Sequence, residues 1–164
     1  IGLLSFAIEY KDTRRTLKKI VKMKNIYQYF NAGVMIINVK KLAGKYSFAQ
    51  LLQIAASRKW PTVDQDVLNH LFEGETKILD MSWNVMFDYM DRMKMTRKLG
   101  AKYYMEYMEA RKHPYIIHFA GSPKPWQDPD ADFGEYFWKY ARQSGFYEQI
   151  LYQMTQYCRK YEYL

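Results

Sequence analysis

The sequence predicts an α/β protein in which short apolar strands alternate with amphipathic helices in a layered unit. Three observations predict it. Residues 34–39 are apolar apart from Asn38, as in an interior strand covered on both faces. Residues 115–119 form a second short run of branched and aromatic side chains, entered through Pro114. Around these runs apolar residues recur at helical spacing, and the alternation continues to about residue 126. Sheets of this kind bind ligands at the carboxyl ends of their strands. His118 and the loop after it occupy such an end.

The elements follow in order. Residues 1–8 read as a strand entered in mid-fold, which leads us to expect that the chain begins inside a larger domain. Residues 11–24 carry seven basic side chains against Asp12 alone, while Leu17, Ile20 and Val21 share one helical face. Such a helix suits a solvated face, an anionic surface or substrate, or nucleic acid, but the chain has no zinc-finger spacing or aromatic ribonucleoprotein motif. The turn Asn31-Ala32-Gly33 brings backbone close to the adjoining crevice, and Asn31 can both donate and accept hydrogen bonds.

Residues 40–58 read as a helix pair broken at Gly44, with Phe48, Leu51, Leu52, Ile54 and Ala55 on the buried side. A further helix starts near Asp64, capped by Thr62 or Asp64 and burying Val67, Leu68, Leu71 and Phe72. Asp64 and Asp66 there are explained either as a hard-cation pair or as first-turn carboxylates favoured by the helix dipole. Residues 77–80 suggest a short strand, 95–112 a helix, and 131–142 and 146–161 two closing helices joined through Ser144-Gly145. In the loop after His118, Gly121 permits close backbone approach, while Pro123 and Pro125 hold Lys124 on a stiffened chain. A metal-ligand type and a phosphate-seeking ammonium can therefore meet at one strand end, although a core histidine and a solvated lysine explain the same residues.

Composition narrows the class. With 164 residues, 49% of them apolar, the chain has the length and core material of one domain. The net charge of +8 suits polyanionic partners. From residue 127 onward the four basic residues, Lys139, Arg142, Arg159 and Lys160, are outnumbered by six acidic ones, so residues 1–126 carry the surplus. Cys158 is the lone cysteine, which excludes a disulfide framework and fits a reducing, cytoplasmic compartment. No apolar stretch approaches the ~20 residues of a membrane span, and exposed Tyr and Trp of the closing helices suit peripheral contact at a membrane interface.

Three motifs stand in order: Tyr29-Phe30-Asn31-Ala32-Gly33 before an apolar run, Asp64-Gln65-Asp66 followed by Leu68-Asn69, and His118 through Gly121 and Lys124 to Trp126. Together they resemble glycosyltransferase family 8, which includes bacterial lipopolysaccharide glycosyltransferases and glycogenins. The resemblance covers about residues 29–126. It implies a GT-A-type, Rossmann-like mixed sheet and a retaining transferase that moves a hexose from a UDP-sugar to a cell-surface glycan or lipid-linked glycan, assisted by Mn²⁺ or Mg²⁺. It also implies the residue roles: His118 a metal ligand, Gly121 and Lys124 on the diphosphate, Asn31 and Ala32 beside the donor, Asp64 on the sugar hydroxyls, and Gln65 near the anomeric centre. Asp66 by the same comparison supports its helix.

The family's Asp-x-Asp metal motif and uridine-binding first strand lie upstream of the asparagine turn, and residues 1–29 do not supply them. The expectation is a C-terminal part of the catalytic domain over 1–126, a helical extension over 127–164, and poor transfer by these residues alone. A noncatalytic sugar- or nucleotide-binding remnant is the alternative, followed by a basic nucleic-acid-binding protein.

Overall fold

The computed structural model describes residues 11–88, 93, 97 and 100–161. Among these residues the α-helices and strands follow in the order α1 Lys11–Thr16, α2 Val39–Lys45, α3 Phe48–Ala56, α4 Asp64–Leu71, β1 Val85–Met86, α5 Ala101–Lys112, β2 Ile117–His118, α6 Gly134–Ala141 and α7 Tyr147–Tyr161. The predicted strand over 1–8 lies outside the described residues. Among the described helices none is long and apolar enough to cross a membrane.

The basic helix forms as its spacing predicts, and α1 continues as a π-helical turn over Leu17–Val21. Its apolar side packs with Met23, Ile26, Tyr29 and Trp60 into one core cluster, with Ile54 and Val67 against it. The carbonyls at the end of this segment find partners in side chains, since the Arg58 guanidinium donates to Ile20 O at 2.9 Å and His70 Nδ1 lies 2.8 Å from Val21 O. Basic groups at a helix C-terminus satisfy carbonyls that the helix itself leaves open.

The second cluster lies under the strands. β1 and β2 pair in parallel, with Val85 opposite Ile117 and Met86 opposite His118. A parallel pair needs a crossover, and α5 provides it. Tyr107 and Ala110 of α5 are buried against Val85 and Met86, and the Tyr107 hydroxyl donates to Met86 O at 2.7 Å. Arg111 on the same face grips Asp132 with two hydrogen bonds of 2.6 Å and stacks on the Phe133 ring at 4.4 Å. The Asp132 carboxylate also accepts the Asp88 N–H, and this ties β1, α5 and the start of α6 together. Burial by itself raises an Asp132 carboxyl, but the Arg111 guanidinium and the Asp88 amide hold it below its ordinary value.

Several expectations are corrected. Residues 34–38 are not a strand: Ile36 is 90% exposed, and among the described residues the backbone of Val34 to Ile37 has no hydrogen-bonded neighbour. Apolar composition cannot make a strand without a partner edge. Residues 77–80 also lack regular structure, and among the described residues the backbone of 77–79 has no hydrogen-bonded neighbour. The paired helices break at Tyr46 and Ser47, where Ser47 and Gln50 form a capping box, and Gly44 stays inside α2. Phe48 and Leu52 of α3, expected to be buried, are exposed.

Candidate donor site

The site is assembled by α4 and by the segments just before β1 and at the end of β2. Neither Thr62 nor Asp64 caps α4; its N-cap is Val63, in the left-handed half of the map at φ 50°, which a β-branched residue rarely adopts. The fully buried residues of this helix are Asp66 and Asn69, one turn apart, whereas Val67, Leu68, Leu71 and Phe72 are only half-buried. A buried polar face requires partners. Asn69 supplies itself with the backbone of Phe30, accepting its N–H at 2.8 Å and donating to its C=O at 2.9 Å. Asp66 accepts from the Tyr29 hydroxyl at 2.7 Å and from Thr62 N–H at 2.8 Å. Asp66 is thus turned inward to clamp the segment before the asparagine turn.

That clamp positions the turn on Gln65. Gln65 Oε1 accepts the Ala32 N–H at 3.1 Å and the Asn31 side-chain amide at 3.0 Å, while its Nε2 donates to the Tyr29 hydroxyl at 3.0 Å. Both lone pairs of the Gln65 carbonyl are engaged. Burial pushes the Tyr29 phenol up to about 12, with the neighbouring carboxylate of Asp66 acting in the same direction, so at neutral pH it remains a donor. Asn31 Oδ1 accepts the Gly33 N–H at 3.0 Å and the side-chain amide of Asn84 at 2.9 Å, and Asn84 Oδ1 lies 2.9 Å from His118 Nδ1. One hydrogen-bonded constellation therefore joins Asn31, Ala32 and Gln65 to His118.

Gly33 lies directly against the imidazole. A Cβ built there falls 2.2 Å from His118 Cε1 and 2.9 Å from Nε2, so the glycine is needed for space. A cavity of about 470 Å³ opens beside the constellation, bordered by Phe30, Asn31, Met35, Leu68, Trp83 and Asn84.

The remaining sequence-predicted residues stand apart from this network. Asp64 is exposed in the first turn of α4, and among the described residues its carboxylate makes no hydrogen bond or ion pair. Gly121 takes φ 112°, a conformation open to glycine, in the loop after β2. Lys124 is half-buried with its ammonium on the Phe119 carbonyl of its own loop. The loop is seated against α6 through Phe119 and Trp126, whose rings lie 6.4 and 5.2 Å from Phe137. Sequence does not single out Asn84, and it places Tyr29 and Asn69 in two of the motifs without giving them a role. A polar residue just before an apolar strand pair is the only local signal Asn84 gives.

His118 fits one ligand position of a divalent cation, because a carbonyl held on one ring nitrogen is the usual companion of a ligating imidazole. Among the described residues no group of three His, Cys, Asp or Glu side chains is placed to hold a metal. His118 thus belongs to no such group among the described residues.

This fold is shared by a solved glycosyltransferase. The apo structure of the bifunctional glycosyltransferase WbbM superposes with a TM-score of 0.80 and 29% identity, over 87% of this chain and 25% of that one. Residues 6–130 match the family Glycosyl transferase family 8, and the chain belongs to that family. Among its relatives, the lipopolysaccharide 1,2-glucosyltransferase of Escherichia coli K12 is 32% identical over 104 residues, 60% of this chain and 28% of the relative. General stress protein A of Bacillus subtilis strain 168 is 28% identical over 125 residues, 73% of this chain and 42% of the relative. The chain thus spans well under half the length of these proteins.

Proposed function

We propose that this chain carries the donor-sugar side of a retaining hexosyltransferase, which moves a hexose from a UDP-sugar to a lipopolysaccharide or other cell-surface glycan on the cytoplasmic face of a membrane. The observation behind the proposal is the constellation of Asn31, Ala32, Gln65 and His118 at the carboxyl end of β2, in a chain of family 8.

Cleaving the bond from sugar to diphosphate builds negative charge on the leaving group and positive charge on the ring. Lys124 is the residue for the first. Its ammonium already lies on a loop carbonyl, so contact with a diphosphate exchanges one acceptor for a charged one. A divalent cation, Mn²⁺ or Mg²⁺, supplies further neutralisation when bound, with His118 as this chain's ligand. Gly121 leaves room for a phosphate against the backbone. Asp64, exposed at the start of α4, is the proposed acceptor for sugar hydroxyls. The Gln65 carbonyl, both lone pairs of which are taken by the turn, acts on the ring only as a dipole and not as a nucleophile.

The test is UDP release from UDP-hexose by the longest natural polypeptide carrying these residues, with Mn²⁺ and a lipopolysaccharide acceptor. A charge-assisted phosphate contact is worth ~1.5–3 kcal/mol, so Lys124→Ala should lose roughly 10- to 100-fold in rate. Loss below twofold, or turnover indifferent to chelation of divalent ions, overturns the assignment. Binding of sugar or nucleotide without turnover is the second reading. UDP binding by a polypeptide that never turns over decides for it.

A further inference from the structure

We infer that Asn84 is a positioning residue that holds His118 in its Nδ1–H tautomer and so makes Nε2 the ring's lone-pair nitrogen. The side-chain amides between α4 and β2 have only one consistent orientation, because two backbone donors pin them. Ala32 N–H can be received only by an oxygen, which places Gln65 Oε1 toward the turn. Gly33 N–H likewise requires Asn31 Oδ1, leaving the Asn31 amide to donate to Gln65. Asn31 Oδ1 then faces Asn84, whose NH₂ must point at it. Asn84 is left with its carbonyl toward His118, 2.9 Å from Nδ1, and a carbonyl accepts only from a protonated nitrogen.

The donors consequently all run one way: His118 to Asn84, Asn84 to Asn31, Asn31 to Gln65, Gln65 to the Tyr29 hydroxyl, and that hydroxyl to the buried Asp66 carboxylate. Reversing any link sets oxygen against oxygen or nitrogen donor against donor. Gly33 lies against the other side of the ring, where even a methyl group would overlap Cε1. The tautomer follows from hydrogen bonding alone, and its use in ligating a cation rests on the function proposed above.

The experiment is long-range ¹H–¹⁵N correlation of the histidine rings in the full chain at a pH where His118 is neutral, with His118→Ala identifying its signals. The wild type should show Nδ1 protonated. Asn84→Asp gives up the donor to Asn31 Oδ1 but keeps an acceptor against Nδ1 and should keep the tautomer, whereas Asn84→Ala should move the proton to Nε2. Nε2–H in the wild type, a tautomer switch in Asn84→Asp, or an unchanged ring in a folded Asn84→Ala each overturns the inference. Should the alanine variant fail to fold, the wild-type and aspartate spectra still decide.

Mn²⁺ is then titrated while the His118 Cε1–H line is followed. Asn84→Ala should need roughly 10- to 100-fold more ion for the same broadening, the usual cost of removing a ligating imidazole's partner. A wild-type ring with Nδ1–H that Mn²⁺ leaves sharp upholds the positioning by Asn84 and overturns the metal role of His118.

Discussion

Gly33→Ala tests the geometry of the site most directly. The new methyl carbon falls 2.2 Å from His118 Cε1 and 3.0 Å from Nδ1. Ordinary carbon contacts begin near ~3.5 Å, so the ring or the turn must yield by roughly 1.3 Å. If the ring yields, it leaves the Asn84 carbonyl, and if the turn yields, the Ala32 and Gly33 amides leave Gln65 and Asn31. Overpacking costs ~1–3 kcal/mol and a lost hydrogen bond about 1 kcal/mol more, for a total of about 2–4 kcal/mol. Gly44→Ala is the internal control, since its Cβ meets nothing within 4 Å inside α2. There the helix should gain about 0.5–1 kcal/mol, so the same substitution changes sign between two sites. Urea unfolding with m held equal reads both. A Gly33→Ala protein within about 0.5 kcal/mol of the wild type would refute the contact between the turn and the imidazole.

Tyr29→Phe removes the hydroxyl that links Gln65 to Asp66 and should cost about 1–3 kcal/mol at neutral pH, read as a fall in urea midpoint. Because the folded phenol is raised to about 12, the stability Tyr29 contributes is whole below its unfolded value near 10 and is lost as pH climbs through 12. The difference between wild type and Tyr29→Phe should therefore narrow in alkali, and a constant difference would contradict the burial of the phenol. Asp132→Asn should cost about 2–3 kcal/mol, less than the ~3–5 of a fully buried pair because both side chains keep some solvent contact. With the folded carboxyl held below its ordinary value, this stabilisation is present above the unfolded value of ~3.9 and disappears as pH falls through the folded one. Wild type and Asp132→Asn should then converge in acid, as acid titration of the two urea midpoints can show.

Local patterning made much of the fold legible. The basic helix α1, the closing helices α6 and α7, the short strand at His118 and the small-residue turn at Gly33 all form where residue type and spacing put them. The strands expected at 34–39 and 77–80 do not, since the choice between strand and extended coil lies with a hydrogen-bonding neighbour and not with the segment's own residues. β1 escaped notice because Val85 and Met86 are too few to show a period, and they become a strand by pairing with Ile117 and His118.

Residue type and spacing alone carried the α/β class, the excess of positive charge before residue 127 and the three ordered motifs that mark the family. These are properties of residue type and spacing, and they need no contact to be read. Tertiary structure decided what those residues do to one another. It turned Asp66 inward, engaged both lone pairs of Gln65, laid Lys124 on its own loop and brought Asn84 between Asn31 and His118 across gaps of 53 and 34 residues. The direction of a hydrogen bond depends on which partner's lone pair is already taken, and only the folded chain sets that order.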